Sequence, residues 1–203
     1  MNTTKIKKFR IIKYKHTVKP ALKIKNISKS FNGVPVLQNL NLNILPGSIN
    51  GLLGENGSGK TTLFNLILGN LKADEGEIYA KGSTLISSMP IHERCKKFKL
   101  SYIPQNQSVF RGLNCEDNLR AIAEITIKDQ IKREAIVQEL LSEFSLSHLR
   151  NIKAINLSGG EKKKVVIARA LVNKPKILLM DEPYGAVDPI NIDMIKKIII
   201  NLQ

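Results

Sequence analysis

Apolar and polar residues alternate in two stretches near the start of the chain, residues 22–27 (LKIKNI) and residues 36–44 (VLQNLNLNI). Alternation with a period of two is typical of strands that bury one face. Phe31-Asn32-Gly33, between the two stretches, predicts a turn. We therefore expect the two stretches to pair as antiparallel strands.

The chemistry that follows is framed by a strand and a helix. A short apolar run at residues 49–53 predicts a strand that enters a glycine-rich loop, and a helix is predicted from about residue 60 to 68. The apolar residues of that helix fall on one face: Leu63, Phe64, Ile67 and Leu68. Residues 74–76 (DEG) predict a turn, and another short strand begins at residues 78–79.

The pattern changes at about residues 90–155, where helical periodicity dominates, most clearly in residues 131–144. We interpret this stretch as a mostly helical subdomain. After it we expect a helix at residues 160–171, a buried parallel strand at residues 177–180 and a last helix from about residue 190. The order of elements predicts an α/β fold with N-terminal antiparallel strands and an inserted helical subdomain.

Composition agrees with one folded domain at residues 21–203, preceded by a basic tail at residues 1–20. Hydrophobic residues make up 42% and charged residues 24% of the 203 residues, as in an ordinary globular protein. No run approaches the roughly 18–20 apolar residues of a membrane span. The basic tail lacks the apolar core of a signal peptide.

The net charge of +15 is high and raises nucleic acid, an anionic membrane surface or an acidic ligand as partners. Lysine is spread through every segment, however, which favours a composition bias over one binding patch. The exception is residues 1–54, which contain no Asp or Glu. Cys95 and Cys115 form no CxxC pair, so we expect reduced thiols in a cytoplasmic protein.

Residues 54–61 (GENGSGKT) fit the phosphate-loop pattern G-x-x-x-x-G-K-[ST]. Glycines let backbone N–H groups surround phosphate oxygens at a helix N-terminus. Lys60 would reach the β- and γ-phosphates of ATP, Thr61 would ligate Mg²⁺ and Thr62 would add a phosphate contact. The alternative is a glycine-rich turn that only caps a helix. The predicted ATP-binding residues of the loop are Gly54, Glu55, Asn56, Gly57, Ser58, Gly59, Lys60, Thr61 and Thr62.

The predicted strand at residues 177–180 ends in two acids, Asp181 and Glu182. Ligands bind at the carboxyl ends of strands in open α/β sheets. Asp181 would hold Mg²⁺, directly or through water. Glu182 would polarise the attacking water, a role that contributes roughly 10²–10⁴-fold in rate. Without the phosphate loop, the same pair would indicate only a solvated strand end.

The run LSGGE, followed by the basic helix KKKVVIARAL, resembles the signature motif of the ABC ATPases. Its residues here are Leu157, Ser158, Gly159, Gly160 and Glu161. In that family the motif faces the phosphate loop of a second subunit, so Ser158 and the N–H groups at a helix N-terminus would bind the γ-phosphate of the partner's ATP. The resemblance covers residues 21–203 and implies a P-loop NTPase core, a homodimer, and ATP and Mg²⁺ as cofactors.

Three further positions match the family in order. Residues 102–105 (YIPQ) resemble the Q-loop, which implies that Gln105 senses Mg²⁺ and the attacking water. Residues 185–188 (GAVD) resemble the D-loop, which implies that Asp188 reaches across the dimer. Phe31 stands where the family places an aromatic residue that stacks on adenine. Packing in the core is an equal alternative for Phe31.

Within the family, four stretches resemble the ATPases that power lipopolysaccharide export: residues 90–94, 101–119, 144–151 and 181–190. This resemblance implies two integral membrane subunits that dock near the Q-loop and the helical subdomain. It also implies a peripheral position on the cytoplasmic face of the inner membrane. ATPases of branched-chain amino-acid importers share much of the pattern and stay an alternative.

The chain departs from the family pattern in one respect. Members carry a histidine on a strand beyond the D-loop helix, but His16, His92 and His148 all lie upstream and are interpreted as surface or helix residues. We expect a fragment, a shortened product or a weakened ATPase in which ATP binding survives and turnover suffers. The alternatives are a cassette that binds ATP without hydrolysing it, and a soluble ABC ATPase that acts on nucleic acid or ribosomes. The second normally needs two cassettes or a coiled-coil insertion, so no specific nucleic acid is expected.

Overall fold

The computed structural model describes residues 18–106, 108–184 and 189–201, without the side chains of residues 189–191 and 194. Within these ranges no helix is long and apolar enough to cross a lipid bilayer. The elements in chain order are β1 (Leu22–Phe31), β2 (Val34–Ile44), α1 (Lys60–Leu68), β3 (Glu75–Ala80), β4 (Thr84–Leu85), α2 (Ile91–Phe98), β5 (Leu100–Ile103), α3 (Cys115–Thr126), α4 (Gln130–Glu143), α5 (Gly159–Leu171), β6 (Ile177–Met180) and α6 (Pro189–Asn201). Two short 3₁₀ turns lie at Ser147–Leu149 and Ala154–Asn156.

The predicted antiparallel pair is confirmed and is longer than the alternation indicated. β1 pairs with β2 from Leu22↔Ile44 to Phe31↔Val34. Asn32 and Gly33 make the turn with φ angles of 50° and 78°. Asn and Gly tolerate this left-handed backbone, which suits the twist of a tight hairpin. β3 and β4 extend the sheet to the order β2-β1-β3-β4.

A second, parallel pair of strands carries the chemistry. β5 and β6 pair from Leu100↔Ile177 to Ile103↔Met180, so their carboxyl ends lie at the same edge. The predicted parallel strand at residues 177–180 is confirmed. Its partner β5 lies inside the stretch that we predicted to be mostly helical. Four residues between helices are too few to show a period of two, so the sequence hid this strand. The domain division itself stays a prediction.

The predicted helices at residues 60–68, 131–144, 160–171 and from 190 are confirmed as α1, α4, α5 and α6 within one or two residues. α1 and α4 each bury one apolar face. In α1 the buried residues are Leu63, Leu66, Ile67 and Leu68. In α4 they are Ile136, Val137, Leu140 and Leu141. Tertiary packing of these faces stabilises helices that would be marginal alone.

Two local predictions are wrong. Residues 49–53 form no strand, and Ile49 and Leu53 are 52% and 83% exposed. Gly51 weakens a strand there, and the Asn50 side chain donates to Ser48 Oγ at 2.8 Å. Residues 74–76 are not a simple turn either, because β3 starts at Glu75. Gly76 has φ 87° beside an irregularity of β1, where any Cβ would collide with the Asn26 carbonyl oxygen.

The β5–β6 pair separates two hydrophobic cores. Ile177 and Leu179 face the core that the antiparallel sheet forms with α1 and α2. Leu178 and Met180 face the core among α3, α4 and α5. This alternation follows from the period of two along a strand. A strand held from both faces fixes the residues that follow its carboxyl end.

Candidate active site

The phosphate loop leads directly into α1 and depends on glycine geometry. Gly57 and Gly59 have φ angles of 81° and 92°, which favour glycine. Gly59 is also buried, and a Cβ there would lie 2.9 Å from the Leu37 side chain and 3.2 Å from the Val36 carbonyl oxygen. The loop residues Gly54, Glu55, Asn56, Gly57 and Ser58 are exposed. The loop is therefore open to solvent except at Gly59, which packs against Val36 and Leu37 of β2.

The N-terminus of α1 is built to attract an anion. Gly59 at the N-cap offers no side-chain acceptor, and the first turn contains no acidic residue. The first N–H groups of a helix lack intrahelical partners and carry partial positive charge. Lys60 adds a full charge, and its Nζ donates to the carbonyl oxygens of Gly54 and Glu55 at 2.8 Å each. Thr62 is half-buried in the first turn of the helix.

Thr61 and Asp181 meet although they lie 120 residues apart. Thr61 Oγ1 donates to Asp181 Oδ2 at 2.9 Å, and Asp181 is 5% exposed. Hydroxyl and carboxylate oxygens are the ligands that Mg²⁺ prefers, usually with waters and substrate phosphates completing the shell. The described residues hold no cluster of three or more His, Cys, Asp or Glu, so a wholly protein-built cage is not present among them. Thr61 and Asp181 fit a magnesium ion that is shared with a nucleotide.

Tyr102 is a neighbour of this site that sequence reasoning missed. Its hydroxyl donates to Asp181 Oδ2 at 3.4 Å. Burial raises the pKa of Tyr102, and the Asp181 charge raises it further. Tyr102 pairs with Leu179 in the β5–β6 register, two residues before Asp181. Only knowledge of that pairing could have placed it, because β5 itself was not predicted.

Gln105 and Glu182 follow the two parallel strands and bond to each other. Gln105 Nε2 donates to Glu182 Oε2 at 2.6 Å. Glu182 is exposed and has φ 46°, a left-handed backbone that is uncommon outside glycine. The structure thus places the two predicted catalytic residues together at one edge. It pairs Gln105 with Glu182, and the role of Gln105 toward Mg²⁺ stays a prediction.

Lys163, which sequence reasoning passed over, contacts the same edge from α5. Its Nζ donates to the carbonyl oxygen of Glu182 at 3.3 Å, and the residue is 1% exposed. Burial lowers the pKa of Lys163, while the charges of Asp181 and Glu182 act in the opposite direction. The run KKK is more typical of a solvated helix face, so nothing in the sequence marked its second lysine.

The LSGGE residues begin α5 with a closed pair of caps. Ser158 Oγ accepts from the N–H of Glu161 at 3.3 Å, and Glu161 Oε2 accepts from the N–H of Ser158 at 2.7 Å. This is a capping box. Hydrogen bonds that the Glu161 carboxyl accepts from the N–H and the side chain of Ser158 lower its pKa. Leu157 and Gly160 are buried, whereas Ser158 and Gly159 are exposed.

The remaining candidate residues divide in three ways. Phe31 is 42% exposed at the end of β1, so the alternative that it packs in the core is wrong. His92 and His148 are exposed, as predicted, while His16 and Asp188 lie outside the described residues. Both predicted thiols, Cys95 and Cys115, are free. Burial raises the pKa of Cys115 to about 11, so its thiol is unreactive at neutral pH.

Comparison with known proteins assigns the family. Residues 37–185 match the family model of the ABC transporter. A probable ABC transporter ATP-binding protein of Azorhizobium caulinodans is 40% identical over 186 residues, which are 92% of this chain and 66% of that protein. The lipopolysaccharide export system ATP-binding protein of Haemophilus influenzae is 42% identical over 184 residues, which are 90% of this chain and 75% of that protein.

Solved structures agree with these relatives. An ATP-binding cassette of an ABC transporter superposes with a TM-score of 0.81 at 31% identity, over 90% of this chain and 77% of that one. A dimeric ATP-binding cassette in a post-hydrolysis state, bound to ADP and Pi, gives 0.76 at 28% identity over 88% and 81%. This chain spans less than two thirds of the length of two relatives, at 66% and 65%. On these matches and on the fold, the chain belongs to the ABC transporter family of ATP-binding proteins.

Proposed function

We propose that the protein binds ATP at residues 54–61 and hydrolyses it as the ATP-binding subunit of an ABC transporter. One observation carries the proposal. The Thr61–Asp181 contact of 2.9 Å and the Gln105–Glu182 contact of 2.6 Å both form where β5 and β6 end, next to the phosphate loop. A phosphate-binding loop, a pair of metal ligands and a general base therefore lie together at the edge where β5 and β6 end.

The proposed chemistry assigns one task to each residue. Lys60 exchanges its two loop carbonyls for oxygens of the β- and γ-phosphates. Thr61 and Asp181 would hold Mg²⁺, which supplies charge neutralisation for the phosphate oxygens when bound. Glu182 accepts the proton of the attacking water, and Gln105 Nε2 holds the Glu182 carboxylate in place. Attack on the γ-phosphorus breaks its bond to the bridging oxygen and releases ADP and phosphate.

We further propose a homodimer in which the phosphate loop of each chain faces the Ser158–Glu161 segment of the other. The solved cassette with bound ADP and Pi is dimeric, which supports the dimer itself. ATP would close the two chains, and hydrolysis would reopen them. Two integral membrane subunits on the cytoplasmic face of the inner membrane would use this cycle for transport.

For the cargo, we propose export of lipopolysaccharide. Proteins named for that export system are 42% identical over 90% of this chain. ATP-binding proteins whose names give no cargo match at 40% and 41%, so identity alone separates the cargoes weakly. Depletion of the protein should make lipopolysaccharide accumulate at the inner membrane. Normal lipopolysaccharide at the cell surface, with impaired uptake of branched-chain amino acids, would favour an importer instead. Co-purification with RNA would favour a soluble ABC ATPase that acts on nucleic acid or ribosomes.

Turnover of ATP by the purified protein tests the enzymatic part of the proposal. We expect Mg²⁺-dependent hydrolysis that Glu182→Gln lowers by roughly 10²–10⁴-fold while ATP still binds. Retained binding of ATP by the variant distinguishes a lost base from a misfolded site. If the wild-type protein binds ATP without turnover, the hydrolytic role is wrong and the protein is an ATP-binding module only.

A further inference from the structure

Lys163 is a buried cation in a place where a cation is costly. It is 1% exposed and among the largest fully buried side chains, while Lys162 and Lys164 on either side are half-buried. An ammonium group is rarely buried unless polar or charged groups compensate for its lost hydration. Leucine or methionine would fill the same space without this cost. The position therefore needs a reason for a charge.

The charge of Lys163 lies close to Asp181 and Glu182, the two acidic residues that follow β6. Lys163 Nζ donates to the carbonyl oxygen of Glu182 at 3.3 Å, and the carboxylates whose charges act on it are Asp181 and Glu182. Glu182 has φ 46°, a conformation that costs energy for a residue with a side chain and persists only when its surroundings hold it. Lys163 holds the backbone of Glu182, and Gln105 holds its carboxylate at 2.6 Å.

The helix that carries Lys163 also contacts the chain that follows Gln105. Arg169, six residues further along α5, donates Nη2 to the Ser108 carbonyl and to Ser108 Oγ at 3.2 Å. Its guanidinium lies 4.6 Å from the centre of the Phe110 ring. α5 thus contacts Glu182 through Lys163 and Ser108, three residues after Gln105, through Arg169. The first residues of α5 belong to the LSGGE segment.

We propose that Lys163 is a positioning residue: it fixes the left-handed backbone of Glu182 and joins the general base to the helix that starts at LSGGE. This inference rests on the proposed ATPase function. A movement of α5 that follows contact with the partner's ATP would then reach Glu182 through one side chain. Lys163 itself touches neither ATP nor the attacking water.

Three variants separate this role from plain packing. Lys163→Met keeps the length and removes the charge, Lys163→Arg restores a donor, and Lys164→Met is the matched loss of charge on the same helix. We expect Lys163→Met to lower kcat about tenfold or more, but by no more than the roughly 10²–10⁴-fold that a general base contributes. KM, ATP affinity and Tm should stay close to wild type. Lys163→Arg should recover most of kcat, and Lys164→Met should resemble wild type.

A second readout does not depend on turnover. Amide hydrogens of Glu182 and Tyr184 should exchange faster in Lys163→Met than in wild type or Lys164→Met, because the segment loses its anchor. Unchanged kcat together with unchanged exchange overturns the inference. So does a parallel fall of kcat, ATP affinity and Tm without recovery in Lys163→Arg, which would mean a structural role. If the wild type binds ATP without turnover, the proposed function fails, and the exchange measurement alone decides on Lys163.

Discussion

The N-termini of α1 and α5 are both proposed to bind ATP phosphates, yet they are built in opposite ways. α1 begins at Gly59 with no side-chain cap and no acid in its first turn, and Lys60 adds a positive charge. α5 begins with Ser158 and Glu161 bonded to each other's backbone, and the first turn contains the Glu161 carboxylate. The first terminus is an anion site by itself. The second already has acceptors for two of its N–H groups.

This difference predicts an order of events. A nucleotide gains both backbone and lysine contacts at α1, so one chain should bind ATP alone. At α5 a phosphate must compete with the caps of Ser158 and Glu161, so this end should contribute only when a second chain brings its bound ATP close. The N-terminus of α1 would thus supply the ATP affinity of a single chain, and the N-terminus of α5 would supply the assembly of two chains.

Lys60→Ala should produce the largest loss of ATP binding, because it removes the positive charge at the N-terminus of α1. Hydrogen bonds to charged groups contribute about 1.5–3 kcal/mol each, so the loss of two predicts roughly 100-fold or more weaker ATP binding. Titration with ATP would measure it. Lys162→Ala is the control, since Lys162 Nζ donates to the Ile155 carbonyl at 3.0 Å near the other terminus. Equal losses in both variants would contradict the comparison.

Ser158→Ala should separate assembly from affinity. ATP affinity of the single chain should not change, whereas turnover at saturating ATP should fall about tenfold, the value of one charge-assisted hydrogen bond. Loss of the N-cap should also lower the free energy of unfolding by about 1 kcal/mol, which thermal unfolding would detect. A variant with weakened ATP affinity and normal turnover would reverse the roles of the two ends.

Phe31→Ala tests whether adenine stacks on the Phe31 ring when ATP binds at the N-terminus of α1. Stacking of a base on an aromatic ring contributes about 1–3 kcal/mol, so we expect at least about fivefold weaker ATP binding. Phe110→Ala is a matched control, because Phe110 is 44% exposed and Phe31 is 42% exposed. If the two variants bind ATP equally well, Phe31 does not stack on the base.

The smallest expected effect is a change with pH in the stability that Glu161 contributes at the N-terminus of α5. Bonds from Ser158 lower the pKa of Glu161 below its unfolded value near 4.5. A carboxyl with a lowered pKa adds stability that is present above the unfolded pKa and is lost as pH falls through the folded one. The stability difference between wild type and Glu161→Ala should therefore shrink on acidification below about pH 4.5. A difference that is constant from pH 7 to pH 3 would contradict the capping box.

The sequence predicted whatever has a strong local signature. The bounds of α1 matched because a phosphate loop and an apolar face define both ends, and Leu22–Ile44 matched because alternation and Asn32-Gly33 agree. The parallel pairing of β6 was predicted, but β5 was missed because four residues carry no period. Residues 49–53 were predicted as a strand from apolar content alone, although Gly51 opposes it.

Within the site, motif residues were predictable and their supports were not. Lys60 belongs to the phosphate-loop pattern, and Asp181 and Glu182 follow an apolar strand, so the sequence alone indicates their chemistry. Tyr102 and Lys163 act through neighbours that only the fold brings near, at 3.4 Å and 3.3 Å. A lysine in a run of three looks like any solvated lysine until its helix is packed.

ATP-driven assembly of the Glu182→Gln variant, measured by sedimentation with and without Mg-ATP, tests most directly whether two chains share ATP. We expect a monomer without nucleotide and a dimer with it, since ATP is bound but not consumed. Adding Ser158→Ala to the same variant should raise the protein concentration at which the dimer forms by about tenfold or more, because each shared site loses one hydrogen bond, while ATP still binds. A Glu182→Gln variant that binds ATP and stays monomeric in excess nucleotide would contradict the claim that the two termini share ATP between chains.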